Sequence, residues 1–227
     1  MPQESIRTVY EQLIQDYNIR YSAISRKHST LSLCRLAAML SAILCFYFYF
    51  DTRANTLLVI AIAASVLFVN LVRWYNRMGR ERLHLKTLLQ INEEESDYLA
   101  KGALPFTDGS SYREDNHAYA NDLDLFGHRS LYQHLNRTAT QMGKDRLAKA
   151  LLQVSTAAEI RNRQEAIAEL GPKLEERQGL YASARLAGDH KDIYDRLIRW
   201  SAQEEKPVNK LLLALCYFLP VLLIGVL

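Results

Sequence analysis

Reactive side chains are spread thinly along this chain of 227 residues. Of its six histidines, His128 and His134 lie close together with His117 upstream, but no H-E-x-x-H run or Cys/His cluster supplies the spacing of a metal site. Ser130 and His134 fall one helical turn apart, where a hydroxyl and an imidazole can meet. No acid orients that imidazole, and no G-x-S-x-G elbow presents the serine. Gly143-Lys144 comes nearest to a phosphate-binding loop, yet it lacks the upstream glycine and the following Ser or Thr of G-x-x-x-x-G-K-[ST]. Glu93, Glu94 and Glu95 read as the solvated face of a helix, and Tyr112 and Tyr119 as loop anchors. The three cysteines, Cys34, Cys45 and Cys216, all sit in apolar stretches. Cys34 and Cys45 are three turns apart on one expected helix, too far to bridge, which suits a reducing compartment. No catalytic, cofactor-binding or metal-ligating residue is expected here.

The elements that would position any site are helical, and the chain reads as all-α. Apolar residues make up 49% and charged residues 23%, with a net charge of +3 that gives no bulk case for nucleic-acid binding. Residues 1–30 form an amphipathic N-terminal helix with Ile6, Tyr10, Leu13, Tyr17 and Ile24 at helical spacing. That stripe packs on the rest of the chain or lies on a lipid surface, with Arg20, Arg26 and Lys27 facing anionic headgroups. Residues 31–72 read as a transmembrane hairpin. Its arms, Leu31–Phe50 and Thr56–Val72, fall in the length range that crosses a hydrocarbon core of about 30 Å. Arg35 can snorkel from the first turn, and Tyr47, Tyr49 and Phe50 resemble an aromatic belt. The turn from Asp51 to Asn55 carries only Arg53, whereas Arg20, Arg26, Lys27 and Arg35 precede the hairpin and Arg73, Arg77, Arg80, Arg82 and Lys86 follow it. The charge asymmetry places both flanks in the cytoplasm, as in a multi-pass protein of the inner (cytoplasmic) membrane.

Residues 73–104 continue as a stalk helix carrying Trp74, Met78, Leu85, Leu88, Leu89 and Asn92, ended by Gly102 and Pro105. This stalk runs antiparallel to the N-terminal helix and is expected to pair with it. Residues 105–206 form a compact helical module that opens with a loop over 106–121. Leu123 and Leu125 then fall on one side of a short alternating segment, with Asp122 and Asp124 on the other. Ser130 can cap a helix, another carries Leu147, Leu151 and Leu152, and Thr156 with Glu159 has the capping-box pattern. Gly171-Pro172 stops that last helix, and two more follow around 173–187 and 190–203. Residues 207–227 read as the start of a further span, with its continuation expected beyond Leu227.

One stretch of the module carries a recognisable motif. Asp122-Leu123-Asp124-Leu125-Phe126-Gly127 leads to Ser130-Leu131, then to Asn136-Arg137-Thr138-Ala139-Thr140-Gln141-Met142-Gly143 and Arg146-Leu147. Ile160, Arg163-Gln164-Glu165-Ala166-Ile167 and Glu169-Leu170 close it. This resembles the start of the core domain of MutS-type mismatch-repair proteins. The layout as a whole is similar to a membrane-anchored MutS-related group, in which a hairpin precedes the core and a second hairpin and an ATPase domain follow. The family positions matched here are Asp124, Phe126, Gly127, Arg137, Thr138, Thr140, Gly143, Arg163, Gln164 and Glu165. Their physics reads as structural: Gly143 for a close approach, Thr138 and Thr140 for capping, and Arg137, Arg146 and Arg163 for pairing with Asp124, Glu165 or Glu169.

The resemblance implies a MutS core or lever module, which transmits motion between an ATPase head and DNA. The Phe-x-Glu mismatch wedge and the phosphate-binding loop of that family are missing from this chain. ATP and magnesium would therefore belong only to an absent ATPase domain, through which the family would also form a homodimer. The expected partners are membrane lipid and, at a distance, DNA. A rival reading is a membrane scaffold that uses the module for protein interaction without touching DNA.

Overall fold

The structure, a computed structural model, describes residues 3–52, 54–102, 104–188 and 191–202. All its regular elements are helical. The third apolar stretch, 207–227, and Arg53 lie outside the described residues, as does the end of the helix expected over 190–203.

The first helix, α1, runs unbroken over Gln3–Thr52, and α2 runs over Asn55–Lys101. The boundary expected between an N-terminal helix and a first span, at residues 30 and 31, is therefore not a structural break. Neither Gly nor Pro falls inside α1, and the hydroxyls of Ser29 and Thr30 fold back onto the carbonyls of Ser25 and Arg26. The helix can pass from polar to apolar sequence without losing a backbone hydrogen bond. Both helices are long and apolar enough to cross a membrane, and only 11% and 6% of their most apolar windows is buried inside the molecule. The core of a soluble helical hairpin would be covered. At its far end α2 stops on Gly102, which takes a left-handed φ of 63° and donates its N–H to the Tyr98 carbonyl.

Below the apolar arms, α1 and α2 pack as an antiparallel pair. Tyr17 and Leu13 from α1 meet Leu85, Leu88, Leu89 and Ile91 from α2. Nearer the apolar arms, the buried His28 ring lies 4.0 Å from that of Tyr75, and the Arg35 guanidinium sits 4.4 Å above Tyr75.

The remainder of this unit is a set of short helices: a 3-10 turn at Ser110–Tyr112, α3 (Leu131–Leu135), α4 (Gln141–Leu152), α5 (Ala157–Leu170) and α6 (Leu174–Ala187). Three of the expected caps are present, while Thr138, expected to cap as well, bonds to the Asn136 side chain instead. Ser130 Oγ accepts from the Gln133 N–H, Thr140 Oγ1 from the Gly143 N–H, and Thr156 with Glu159 closes a full capping box. A small core gathers Ala120, Leu125, Phe126, Tyr132 and Ala148. Gly109 is required at its edge: its φ is +70°, and a Cβ there would fall 2.6 Å from the Tyr132 ring.

The alternation expected around Leu123 does not form. Asp124 adopts φ 47°, which breaks the extended backbone, so Leu125 is buried while Leu123 is 60% exposed. A further helix, α7 (Lys191–Ser201), belongs to a separate unit beginning at His190 and exposes Leu197, Ile198 and Trp200.

Candidate functional site

The residues that carry the resemblance divide between two places. The first is a junction where the segment after α3 docks on the end of α2. Arg137 leaves α3 beside Asn136, whose buried side chain is fully used: its Nδ2 donates to the carbonyl and hydroxyl of Thr107, and its Oδ1 accepts from the N–H and hydroxyl of Thr138. Gln133, one turn earlier, donates to the Phe106 carbonyl at 2.8 Å and accepts from the Arg129 N–H at 2.7 Å. These two buried amides hold the 104–108 segment against α3, so Phe106 becomes a platform. The Arg137 guanidinium lies 3.7 Å above the Phe106 ring and 5.1 Å from that of Tyr98. From there it forks onto Glu95 of α2, Nε to one carboxylate oxygen and Nη2 to the other at 3.1 Å. Its Nη1 also donates to the His134 and Asn136 carbonyls.

This arrangement corrects two expectations. Arg137 pairs with none of Asp124, Glu165 and Glu169, because its loop faces the stalk and α5 stands elsewhere. The acidic run is also not simply a solvated face. Glu93 is exposed, but Glu94 receives a bidentate pair from Arg185 of α6, with both distances 2.8 Å. That pairing holds the Arg185 guanidinium above its ordinary range, the Glu94 hydrogen bonds outweighing burial. Just before these ion pairs along α2, Asn92 and Gln178 exchange amide hydrogen bonds at 3.1 and 2.8 Å, and both side chains are buried. Three consecutive contacts, at Asn92, Glu94 and Glu95, thus tie α2 to α6 and to the motif loop.

The other motif residues near the junction act locally. Thr140 caps α4, and a Cβ on Gly143 would stand 3.1 Å from the Thr140 hydroxyl oxygen and 3.3 Å from Thr138 Cβ, so glycine keeps the cap compact. Phe126 is core, Gly127 takes φ 111°, and the Asp124 carbonyl accepts from the Leu131 N–H. Tyr112 donates to Asp145 at 2.6 Å, and burial together with this carboxylate drives its phenol far above the usual range. Tyr119 caps the end of α4 through the Leu151 and Leu152 carbonyls. His134 meets the Tyr98 hydroxyl at 3.0 Å, while Ser130 spends its hydroxyl on capping and on the Asp108 carbonyl. No Ser–His nucleophile pair is assembled by these two residues.

The second place is α5, which carries Arg163, Gln164 and Glu165. All three are exposed, and α5 has no buried residue at all. Arg163 makes no ion pair with Glu165 or Glu169 among the described residues, and Glu169 pairs with Lys173. Between α4 and α5 lies an open polar cleft of about 450 Å³, lined by Arg146, Lys149, Gln153, Ser155, Glu159 and Arg163. Among the described residues, no group of three or more His, Cys, Asp or Glu side chains could hold a metal ion.

Nothing in the sequence singles out Glu94, Glu95, Gln178 and Arg185 as anchors. Their only signal was an acidic run at the end of an apolar stripe, which usually marks solvent. No family model, no curated protein and no solved structure matches this chain.

Proposed function

We propose that this chain is the membrane anchor and lever region of a MutS-like, DNA-linked ATPase, with the helical hairpin in the bilayer and the module on its cytoplasmic side. The observation that carries this reading is the junction. A lever needs a joint that does not slip, and here the motif arginine, Arg137, is locked onto the same helix that continues toward the apolar arms. The amide exchange at Asn92 adds register, because a shift of either helix would strand both buried amides. The DNA part of the proposal draws on Arg146, Lys149 and Arg163, three cations around one cleft with a single carboxylate, Glu159, among them. ATP and magnesium would act only in a head outside these residues, which would also carry dimerisation.

Binding of plain, mismatched and branched duplexes by the full chain in nanodiscs, across a salt series, tests the reading. Contact with phosphates predicts micromolar or tighter binding that weakens steeply with salt, and Arg146→Gln and Arg163→Gln should each reduce the salt slope by about one. Absence of binding even at low salt would remove the DNA link.

A second reading, the protein-interaction scaffold, is favoured by one feature. Helix α5 exposes Ile160, Ile167 and Leu170 as an apolar stripe, left uncovered among the described residues.

A further inference from the structure

A groove runs along one side of the α1/α2 pair where the polar stalk becomes apolar. It encloses about 350 Å³, with Arg26 and Lys27 at one end and Leu31, Cys34, Trp74 and Met78 along its floor and walls. Its chemistry changes along its length. From Arg26 to Cys34 is eight residues of helix, roughly 12 Å at the usual rise. Over that distance the lining passes from two cations to aliphatic and thiol surface. Leu31 and Met78 are buried, forming a closed floor, while Trp74 is 59% exposed and stands as an open wall.

Some of the cations around Arg26 and Lys27, though not Arg73, Arg77 or Arg80, are engaged by other described residues of the protein. Arg20 is held by Asp16 on its own helix, Arg82 faces His28 across the pair, and Arg35 rests on the Tyr75 ring. Arg26 and Lys27 have no such partner among the described residues.

The geometry points to a binding site for one anionic phospholipid, its phosphate headgroup between Arg26 and Lys27 and an acyl chain along Leu31, Cys34, Trp74 and Met78. The inference rests on the reading of the hairpin as membrane-spanning. Charge complementarity selects the occupant: two unpaired cations call for net negative charge, which a zwitterionic headgroup does not supply. The apolar floor continues directly into the apolar arms, so the ligand arrives laterally from the bilayer rather than from water. Tryptophan at this level suits the headgroup boundary. A polybasic surface attracts anionic lipid diffusely; a groove whose floor is buried adds a fixed position.

Trp74 supplies the readout. The full chain carrying Trp200→Phe, which leaves one tryptophan, is reconstituted in phosphatidylcholine vesicles doped with brominated phosphatidylglycerol or brominated phosphatidylcholine. Co-flotation with the vesicles is measured in parallel. The site predicts that Trp74 is quenched by the brominated anionic lipid at a far lower mole fraction than by the zwitterionic one. The double substitution Arg26→Gln/Lys27→Gln should weaken that preference on the order of tenfold, given the usual worth of two basic residues near a lipid surface. A control, Arg73→Gln/Arg80→Gln, removes the same charge from exposed positions outside the groove and should leave most of the preference intact. Equal quenching by both lipids, or equal losses in both double variants, would overturn the lipid site while leaving the membrane reading in place. Flotation without any quenching would mean that something other than lipid, such as a second copy, covers the groove. A chain that fails to float would overturn the membrane reading and the site with it.

Discussion

The ion pair between Arg137 and Glu95 sets the strength of the joint between the module and the stalk. The two side chains are 29% and 16% exposed, between the usual surface pair and a fully buried one. Exposed pairs contribute at most about 1 kcal/mol, whereas removing one member of a buried pair costs about 3–5 kcal/mol. The fork geometry and the aromatic platform of Phe106 and Tyr98 move this pair toward the stronger end, giving a coupling of about 2 kcal/mol. A double-mutant cycle isolates it: Arg137→Met keeps an unbranched apolar stem over Phe106, and Glu95→Gln keeps the shape of the carboxylate. Opening free energies are read from hydrogen exchange of the amides over residues 131–152 in nanodiscs. Each single variant should lose about 2 to 3 kcal/mol, and the double variant little more than the worse single. Raising the salt should change the coupling only slightly, because a partly buried pair is poorly screened. Losses that add to within about 0.5 kcal/mol would show that the two residues do not act as a pair, and the joint would have to rest on other contacts.

Two further outcomes follow from the same region and from the helix pair above it. Asn92→Leu leaves the Gln178 amide buried without its partner and should cost about 1–3 kcal/mol of α6 docking by the same exchange measurement. Adding Gln178→Leu should recover most of that loss, and a double variant worse than either single would refute the account. His28 is held below its ordinary pKa, first by burial and then by the charges of Arg82 and Arg35. An unfolded His28 would take up its proton near pH 6.5, and the folded one only at lower pH. The unfolded state then binds more protons, so the stabilisation is complete above about pH 6.5 and is lost as pH falls toward the folded value. Exchange of the amides flanking His28 and Tyr75, corrected for intrinsic rates, should quicken on acidification from about pH 7.5 to 5.5. His28→Gln should flatten that response, and an unchanged slope would sink the assignment.

Features governed by local chemistry are legible in the residues alone. Periodicity and the runs of apolar residues specify a helix over 1–30, two apolar arms and a stalk that continues the second arm to Gly102, while the fusion of the N-terminal helix with the first arm into α1 is seen only in the structure. Ser130, Thr140 and the Thr156–Glu159 box announce three helix starts, because a cap is written within four consecutive residues. The antiparallel course forced by the hairpin predicts that the stalk pairs with the N-terminal helix, and Tyr17 meets Leu85 and Leu88 there.

Which charge meets which was decided only by the tertiary structure. Arg137 has several carboxylates within reach in sequence, yet its partner lies 42 residues upstream, and Arg185 reaches back 91 residues to Glu94. Ion pairing has no period and no register of its own. It depends on where packing of Phe106, Ala182 and Ile91 leaves two side chains facing each other. For the same reason a run of three glutamates gave no sign of splitting into one solvated residue and two anchors. The exposed stripe of α5 was equally unreadable, since Ile160 and Ile167 at helical spacing describe a face that needs covering without saying whether this fold covers it.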